Sequence, residues 1–237
     1  GEFDAFFSFR SSLRSKLIKF CVSSKSKFQF DKKKYAKGHQ VEKYNNFINN
    51  CLNSHSKPGK LLLHIVKKNK SGKNKILGIN PGASYGDAKR WYPDEFANVA
   101  SALSNEYDIV IFGGPGEKDI AGDIEKNLIK KGVTNYQNLA AHTSISELMS
   151  HISNLDLFIT GDSGPMHVAA AFKVSTVAIF GPTNDSETSQ WLNEKSVIVK
   201  KNLECQPCMK RTCPLKHQNC MKLIKASDVL EAVKNMN

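Results

Sequence analysis

The chain has 237 residues, 40% of them hydrophobic and 9% aromatic, enough for one large α/β unit or two smaller domains. With 34 Lys+Arg against 22 Asp+Glu (net +12), a mean hydropathy of −0.39 and no apolar run long enough to span a bilayer, the composition argues against an integral membrane protein. Residues Gly1 to Arg10 lack a basic start followed by an apolar stretch, so no secretory leader is expected, and an opening on Gly1-Glu2-Phe3 rather than methionine is consistent with a fragment.

In chain order, Phe3 to Phe9 reads as a strand and Ser11 to Phe20 as a helix. Val41 to Leu52 reads as a second helix with Tyr44, Phe47, Ile48 and Cys51 on one face, so this region resembles part of an α/β domain. Ser54 to Lys60 and Lys67 to Lys75 are rich in turn formers and lysine, which places a domain boundary near residues 67–74. The expected division is 1–70 and 71–237.

From Lys75 onward strand and helix patterns alternate, each strand ending in a turn of glycine or small polar residues. Ile76 to Asn80 runs into Pro81-Gly82-Ala83-Ser84, and the next helix starts at Pro93-Asp94-Glu95, with proline early and acids in the first turn. Phe96, Val99, Ala100 and Leu103 mark its buried face. Tyr107 to Phe112 ends in Gly113-Gly114-Pro115-Gly116-Glu117, and the helix after it presents Ile120, Ile124 and Leu128 to the core. Asn135 to Leu139 is a weaker strand, and Ser144 with Glu147 has the spacing of a capping box ahead of Leu148 and Ile152. Leu157 to Thr160 leads into Gly161-Asp162-Ser163-Gly164 and a short helix from Pro165, followed by strand Thr176 to Phe180 and the turn Gly181-Pro182-Thr183. This is the pattern of a doubly wound α/β sheet.

Charge is unevenly spread. Residues 1–75 hold 18 Lys+Arg and 4 acids (net +14), residues 76–237 hold 16 and 18 (net −2). A basic third favours an anionic partner such as nucleic acid, a phosphorylated lipid or an anionic membrane surface, or is simply a solvated face. Lysine dominates and no aromatic residues interleave in the manner that stacks bases.

In an open parallel sheet, ligands bind beyond the carboxyl ends of the strands, where the glycine-rich turns fall. Gly161 to Gly164 opens directly onto a helix N-terminus suited to phosphate, and Lys89 and Arg90 can supply positive charge to a diphosphate on the same edge or serve as ordinary surface cations. The string Gly161-Asp162-Ser163-Gly164-Pro165 is not a serine-protease motif. It joins a strand to a helix only 21 residues after His142, and Pro165 stands where a nucleophile elbow needs glycine. Gly-x-Gly-x-x-Gly is missing after Ile76 to Asn80, which argues against a dinucleotide-dependent dehydrogenase. Cys205, Cys208, Cys213 and Cys220, four of six cysteines, are spaced as candidates for a structural zinc or as a loop packed on the sheet. Six cysteines are too few for a disulfide scaffold, so a reducing cytoplasm is expected.

The ordered series NPGASYGDAKRW (Asn80 to Trp91), FGGPGE (Phe112 to Glu117), GDSGPMHVAAA (Gly161 to Ala171), IFGPT (Ile179 to Thr183) and CQPCMKRTCPLKHQNCM (Cys205 to Met221) resembles the ADP-heptose:lipopolysaccharide heptosyltransferases, glycosyltransferase family 9. The likeness is firm over residues 75–230 and looser over 1–70.

The resemblance implies a GT-B architecture, two Rossmann-like α/β domains with an incomplete N-terminal acceptor domain and a C-terminal donor domain. It implies an inverting transfer of heptose from ADP-heptose to the lipopolysaccharide inner core, with no cofactor required. By the same resemblance Lys89 contacts the donor diphosphate, Ala83 and Ser84 line its phosphate side and Glu117 holds the ribose. Asp162 meets sugar hydroxyls, with Ser163, Gly164 and His167 around the phosphates; Lys89 and Asp162 are the catalytic candidates. The family's general base is an aspartate in a Gly-Asp pair of the acceptor domain. No such pair precedes residue 75 and Asp4 lies within a strand, so the base is expected to lie outside this sequence. The partners implied are ADP-heptose, the inner-core acceptor and an anionic membrane surface, with no nucleic acid. The place implied is the cytoplasm, peripheral to the inner membrane. The alternatives are a nucleotide-sugar binding module without turnover, a transferase for another nucleotide sugar, and a basic protein binding nucleic acid or anionic lipid.

Overall fold

The computed structural model describes residues 2–65, 74–82 and 86–236. The chain divides into two compact units, Gly1–Gly59 and Lys60–Asn237. Of the expected linker at 67–74, only Asn74 lies within the described residues. No helix among the described residues is long and apolar enough to cross a membrane.

The first unit is a β-α-β turn followed by a helix: β1 (Phe3–Ser8), α1 (Leu13–Cys21), β2 (Ser24–Gln29) and α2 (Gln40–Leu52). β1 and β2 pair in parallel, with Phe7 opposite Phe28. Ser12 caps α1, and His39 with Glu42 forms the capping box of α2. Phe30 and Phe47 are the buried apolar side chains of this unit, and their rings lie 5.6 Å apart among Phe7, Phe9, Tyr35 and Tyr44. Asp4, in β1, makes an exposed ion pair with Lys25 (2.8 Å).

The second unit alternates strand and helix through β8 and ends in two helices: β3 (Lys75–Asn80), α3 (Pro93–Leu103), β4 (Tyr107–Ile111), α4 (Lys118–Lys130), β5 (Tyr136–Asn138), α5 (Ile145–Ser153), β6 (Leu157–Gly161), α6 (Gly164–Ala171), β7 (Thr176–Ile179), α7 (Asp185–Thr188), β8 (Ser196–Val199), α8 (Asn219–Lys222) and α9 (Ala226–Lys234). The six strands are all parallel, in the order β5-β4-β3-β6-β7-β8. Near-continuous apolar strands such as Leu157–Gly161 are buried on both faces, which a parallel sheet with helices on each side requires. One face packs Leu77, Ile79, Ile109 and Ile111 with Trp91, Phe96, Ile124 and Leu128; the other packs Phe112, Ile152 and Phe158. Gly78 sits where a Cβ would lie 2.4 Å from Leu155 Cδ1, so the close approach of that layer selects glycine in mid-strand.

The order reverses between β3 and β6, whose loops leave in opposite directions and open a crevice at their carboxyl ends. The chain runs outward from β3 through β4 to β5 and returns to the other side of β3 at β6, so this switch point brings together the ends of β3 and β6, which are about 80 positions apart in sequence.

Candidate functional site

The strand β3 ends in Asn80, almost fully buried, whose amide donates to Ser163 Oγ (3.2 Å) and lies 3.5 Å from Thr160 Oγ1. The Thr160 hydroxyl donates to the carbonyl of Gly161 (3.0 Å), and its oxygen stands 3.2 Å from Ser163 Oγ. This network ties β3 to β6 across the switch point and fixes the Ser163 hydroxyl at the start of α6. Ser163 is the N-cap residue of α6, yet its side chain makes no capping bond. Pro165 in the first turn pre-sets the helix and removes one N–H, and the Met166 N–H donates to the Ser163 carbonyl (3.2 Å), which leaves the Gly164 N–H at the helix start to face an anion.

Beside this helix end, Lys89 Nζ lies 2.5 Å from Asp162 Oδ2 and 3.2 Å from the Asp162 carbonyl. The two side chains are 11% and 8% exposed, so the pair is largely withdrawn from water. The cation comes from the 3-10 turn Asp87–Lys89 after β3, the carboxylate from the residue that follows β6.

Glu117 closes the 3-10 turn Pro115–Glu117 after β4. Its carboxylate accepts the Gly114 N–H (2.6 Å) and rests against Gly82, where a Cβ would fall 1.9 Å from the carboxylate atoms. A side chain at position 82 would therefore displace the Glu117 carboxylate from its place. His167 stands half-buried one turn into α6. The structure thus gathers Lys89, Asp162, Ser163, Gly164 and His167 at one helix N-terminus and sets Glu117 at the end of the neighbouring strand β4. Ala83 and Ser84 lie outside the described residues.

Sequence reasoning passed over Asn80 and Thr160. Only the placement of a polar residue at the last position of two apolar strands hinted at them. Thr183 Oγ1, in the turn after β7, is a further buried polar atom with no protein partner. Such a group costs about 1–3 kcal/mol unless a water or ligand meets it.

The cysteine-rich segment packs on the sheet edge, as one of its two sequence readings held. Cys205, Cys208, Cys213 and Cys220 line one small cavity with Ala88, Pro182 and His217. Among the described residues no group of three or more His, Cys, Asp or Glu side chains is placed to hold a metal ion, so the zinc expectation finds no support there. Burial first, and the three neighbouring thiols second, push the Cys220 thiol up to about 11.

A doubly wound sheet with a helix start, a buried cation and a carboxylate gathered at its switch point defines an α/β protein whose crevice suits an anionic ligand. The sequence profile of glycosyltransferase family 9 (heptosyltransferase) matches residues 1–219, and the chain belongs to that family. It is 46% identical over 243 aligned positions to lipooligosaccharide heptosyltransferase 2 of Campylobacter jejuni, covering all of this chain and 76% of the relative. It is 33% identical over 131 positions to lipopolysaccharide heptosyltransferase 2 of Escherichia coli, covering 55% of this chain and 37% of the relative. Among solved structures, E. coli ADP-heptose lps heptosyltransferase II superposes with a TM-score of 0.80 at 21% identity, over 98% of this chain and 76% of that one. E. coli heptosyltransferase WaaC with ADP gives 0.74 at 14% identity, over 100% and 74%. The α/β fold with a parallel sheet is that of these GT-B enzymes.

Proposed function

We propose that this chain binds ADP-heptose at the β3/β6 switch point and serves the inverting transfer of heptose to the lipopolysaccharide inner core. The observation that carries the reading is the buried Lys89–Asp162 pair at the N-terminus of α6. In the free protein Asp162 holds the ammonium in place. An incoming diphosphate competes for that ammonium and adds the Gly164 N–H at the start of α6 and the Ser163 hydroxyl. Lys89 then shifts toward the phosphates and frees the Asp162 carboxylate for sugar hydroxyls. Glu117, held against Gly82, is at the right edge for ribose hydroxyls.

In the reaction an acceptor hydroxyl attacks the anomeric carbon from the face opposite the diphosphate, the C–O bond to the diphosphate breaks, and ADP departs with its new charge met by Lys89 and the helix end. Preorganised donors of this kind matter most because they need no reorganisation as charge develops. These residues meet the charge of the leaving group without a cofactor, and the proton of the attacking hydroxyl passes to a general base, the family's aspartate, which is not among them. The basic character of residues 1–75 suits a phosphorylated acceptor and the anionic cytoplasmic face of the inner membrane.

The test is calorimetric titration of the folded chain with ADP, UDP and CMP, repeated on Lys89→Ala. Selective ADP binding, weakened at least 10-fold by the substitution, is expected. A folded protein that binds no nucleotide, or binds ADP equally well without Lys89, defeats the donor-site reading.

A further inference from the structure

The cysteine-rich segment has no part in the chemistry above, yet its hydrogen bonds run to the loops that build the site. At one end, the Gln206 amide donates to the carbonyl of Gly181 (2.7 Å) and Met209 N–H donates to the carbonyl of Pro182 (2.8 Å). These bonds hold the turn that follows β7. Farther along, the Arg211 carbonyl accepts the Ala88 N–H (3.1 Å) and the Gln218 amide donates to the Asp87 carbonyl (2.7 Å). Those two bonds hold the 3-10 turn that carries Lys89. In the sheet, β6 and its Asp162 lie between β3 and β7, so the segment spans from the loop on one side of the site to the loop on the other.

The fit is close at both anchor points. A Cβ on Gly86 would lie 2.4 Å from the Arg211 carbonyl, and one on Gly181 would lie 2.3 Å from Met221 Sδ. Cys220 and Met221 are buried against the sheet, and Ala88 and Pro182 share the walls of the cysteine-lined cavity. Gln218 itself sits in the left-handed region (φ 49°), and its own N–H is taken by Cys213 Sγ (3.4 Å). The cysteine sulfur thus fixes the backbone that aims the Gln218 side chain at Asp87.

We infer that the segment from Cys205 to Met221 is the positioning element of the donor-phosphate site, and that Gln218 is the positioning residue that holds the Lys89 turn in register with Asp162. This rests on the donor reading of Lys89 given above. A 3-10 turn of three residues has little hydrogen bonding of its own, so a cation mounted on it needs external bonds to stay within reach of one carboxylate. The segment supplies one bond to an N–H of the turn and one to a carbonyl. Lys89 can therefore be aimed before any ligand arrives, which lowers the ordering cost of binding.

The test is a double-mutant cycle on ADP binding, with Gln218→Asn, Lys89→Ala and the pair together. Asparagine tolerates the left-handed backbone but is one methylene too short to reach Asp87. The single Gln218→Asn change is expected to weaken ADP roughly 3- to 10-fold, as loss of one hydrogen bond would. In the Lys89→Ala background, followed by NMR at millimolar ADP, it should cost nothing further, because Gln218 acts through Lys89. The amide of Ala88 should also exchange faster with solvent in the Gln218→Asn protein. Gln218→Glu, isosteric but unable to donate, provides the same reading if the asparagine variant folds poorly. Unchanged ADP affinity, or the same loss with and without Lys89, overturns the inference and leaves the segment a structural feature only. A Lys89→Ala protein that binds ADP normally would instead sink the donor reading itself.

Discussion

In residues 60–237 the apolar side chains of β3, β4, β6 and β7 are sealed between helical layers, whereas in residues 1–59 the burial pattern is partly inverted. Helix α1 buries Ser15, whose hydroxyl bonds the Arg10 and Ser12 carbonyls, and leaves Leu13, Leu17 and Phe20 at 76%, 58% and 83% exposure. Those three share one helix face by their spacing of four and three. The first unit is instead centred on the aromatic cluster of Phe30 and Phe47. The same β-α-β order thus gives a sheet sealed on both faces in the second unit alone, and the residues proposed to hold the donor all belong to that unit.

The largest effects are expected in the two cores. Phe158→Ala, at a fully buried position, should cost about 3–5 kcal/mol in urea unfolding and carry ADP binding down with it. Phe47→Ala should cost about 3 kcal/mol in the first unit while leaving the ADP affinity unchanged. A loss of ADP affinity in Phe47→Ala would show that the donor platform depends on the first unit.

Thiol chemistry sharpens the same contrast. Cys220 is buried and raised to about 11, so it stays protonated at pH 8, while Cys21 is exposed. Alkylation at pH 8, followed by mass spectrometry, should label Cys21 first and Cys220 slower by roughly 100-fold or more. Because the folded state holds this proton above the ordinary value of 9.0, its contribution to stability is intact below that value and is lost as pH rises toward 11. Equal labelling rates for the two thiols would contradict the buried environment. The smallest effect belongs to the exposed face: Phe20→Ser should change stability by no more than about 0.5 kcal/mol and reduce self-association in sedimentation. A loss of several kcal/mol would mean that this face is packed in solution.

Much of the second unit was legible from residue order. The capping box of Ser144 and Glu147 and the proline start of α3 are both present, because caps are local and need no tertiary partner. The short strands β2 (Ser24–Gln29) and β8 (Ser196–Val199) escaped the sequence reading. β2 alternates serine and lysine with one aromatic residue, and β8 has four residues; each is a strand because a neighbour pairs with it, which is a nonlocal cause. Lys89, Asp162, Ser163 and Glu117 stand out in their motifs, whereas Gln218, although inside the cysteine-rich motif, gives no sign there of the bond it makes. Its partner Asp87 lies 131 positions away, and no spacing rule spans that distance.

By itself the sequence determined the alternation of strands and helices, the glycine-rich turns at the strand ends and the basic character of the first 75 residues, since hydrophobic period, turn chemistry and charge act over a few neighbours. Tertiary structure alone decided that Lys89 meets Asp162, that Asn80 reaches Ser163 across the sheet reversal, and that a cysteine-rich segment ties the Lys89 turn to the turn after β7. These contacts join residues brought together by sheet order and layer packing, and their geometry exists only once the parallel sheet has closed around its core.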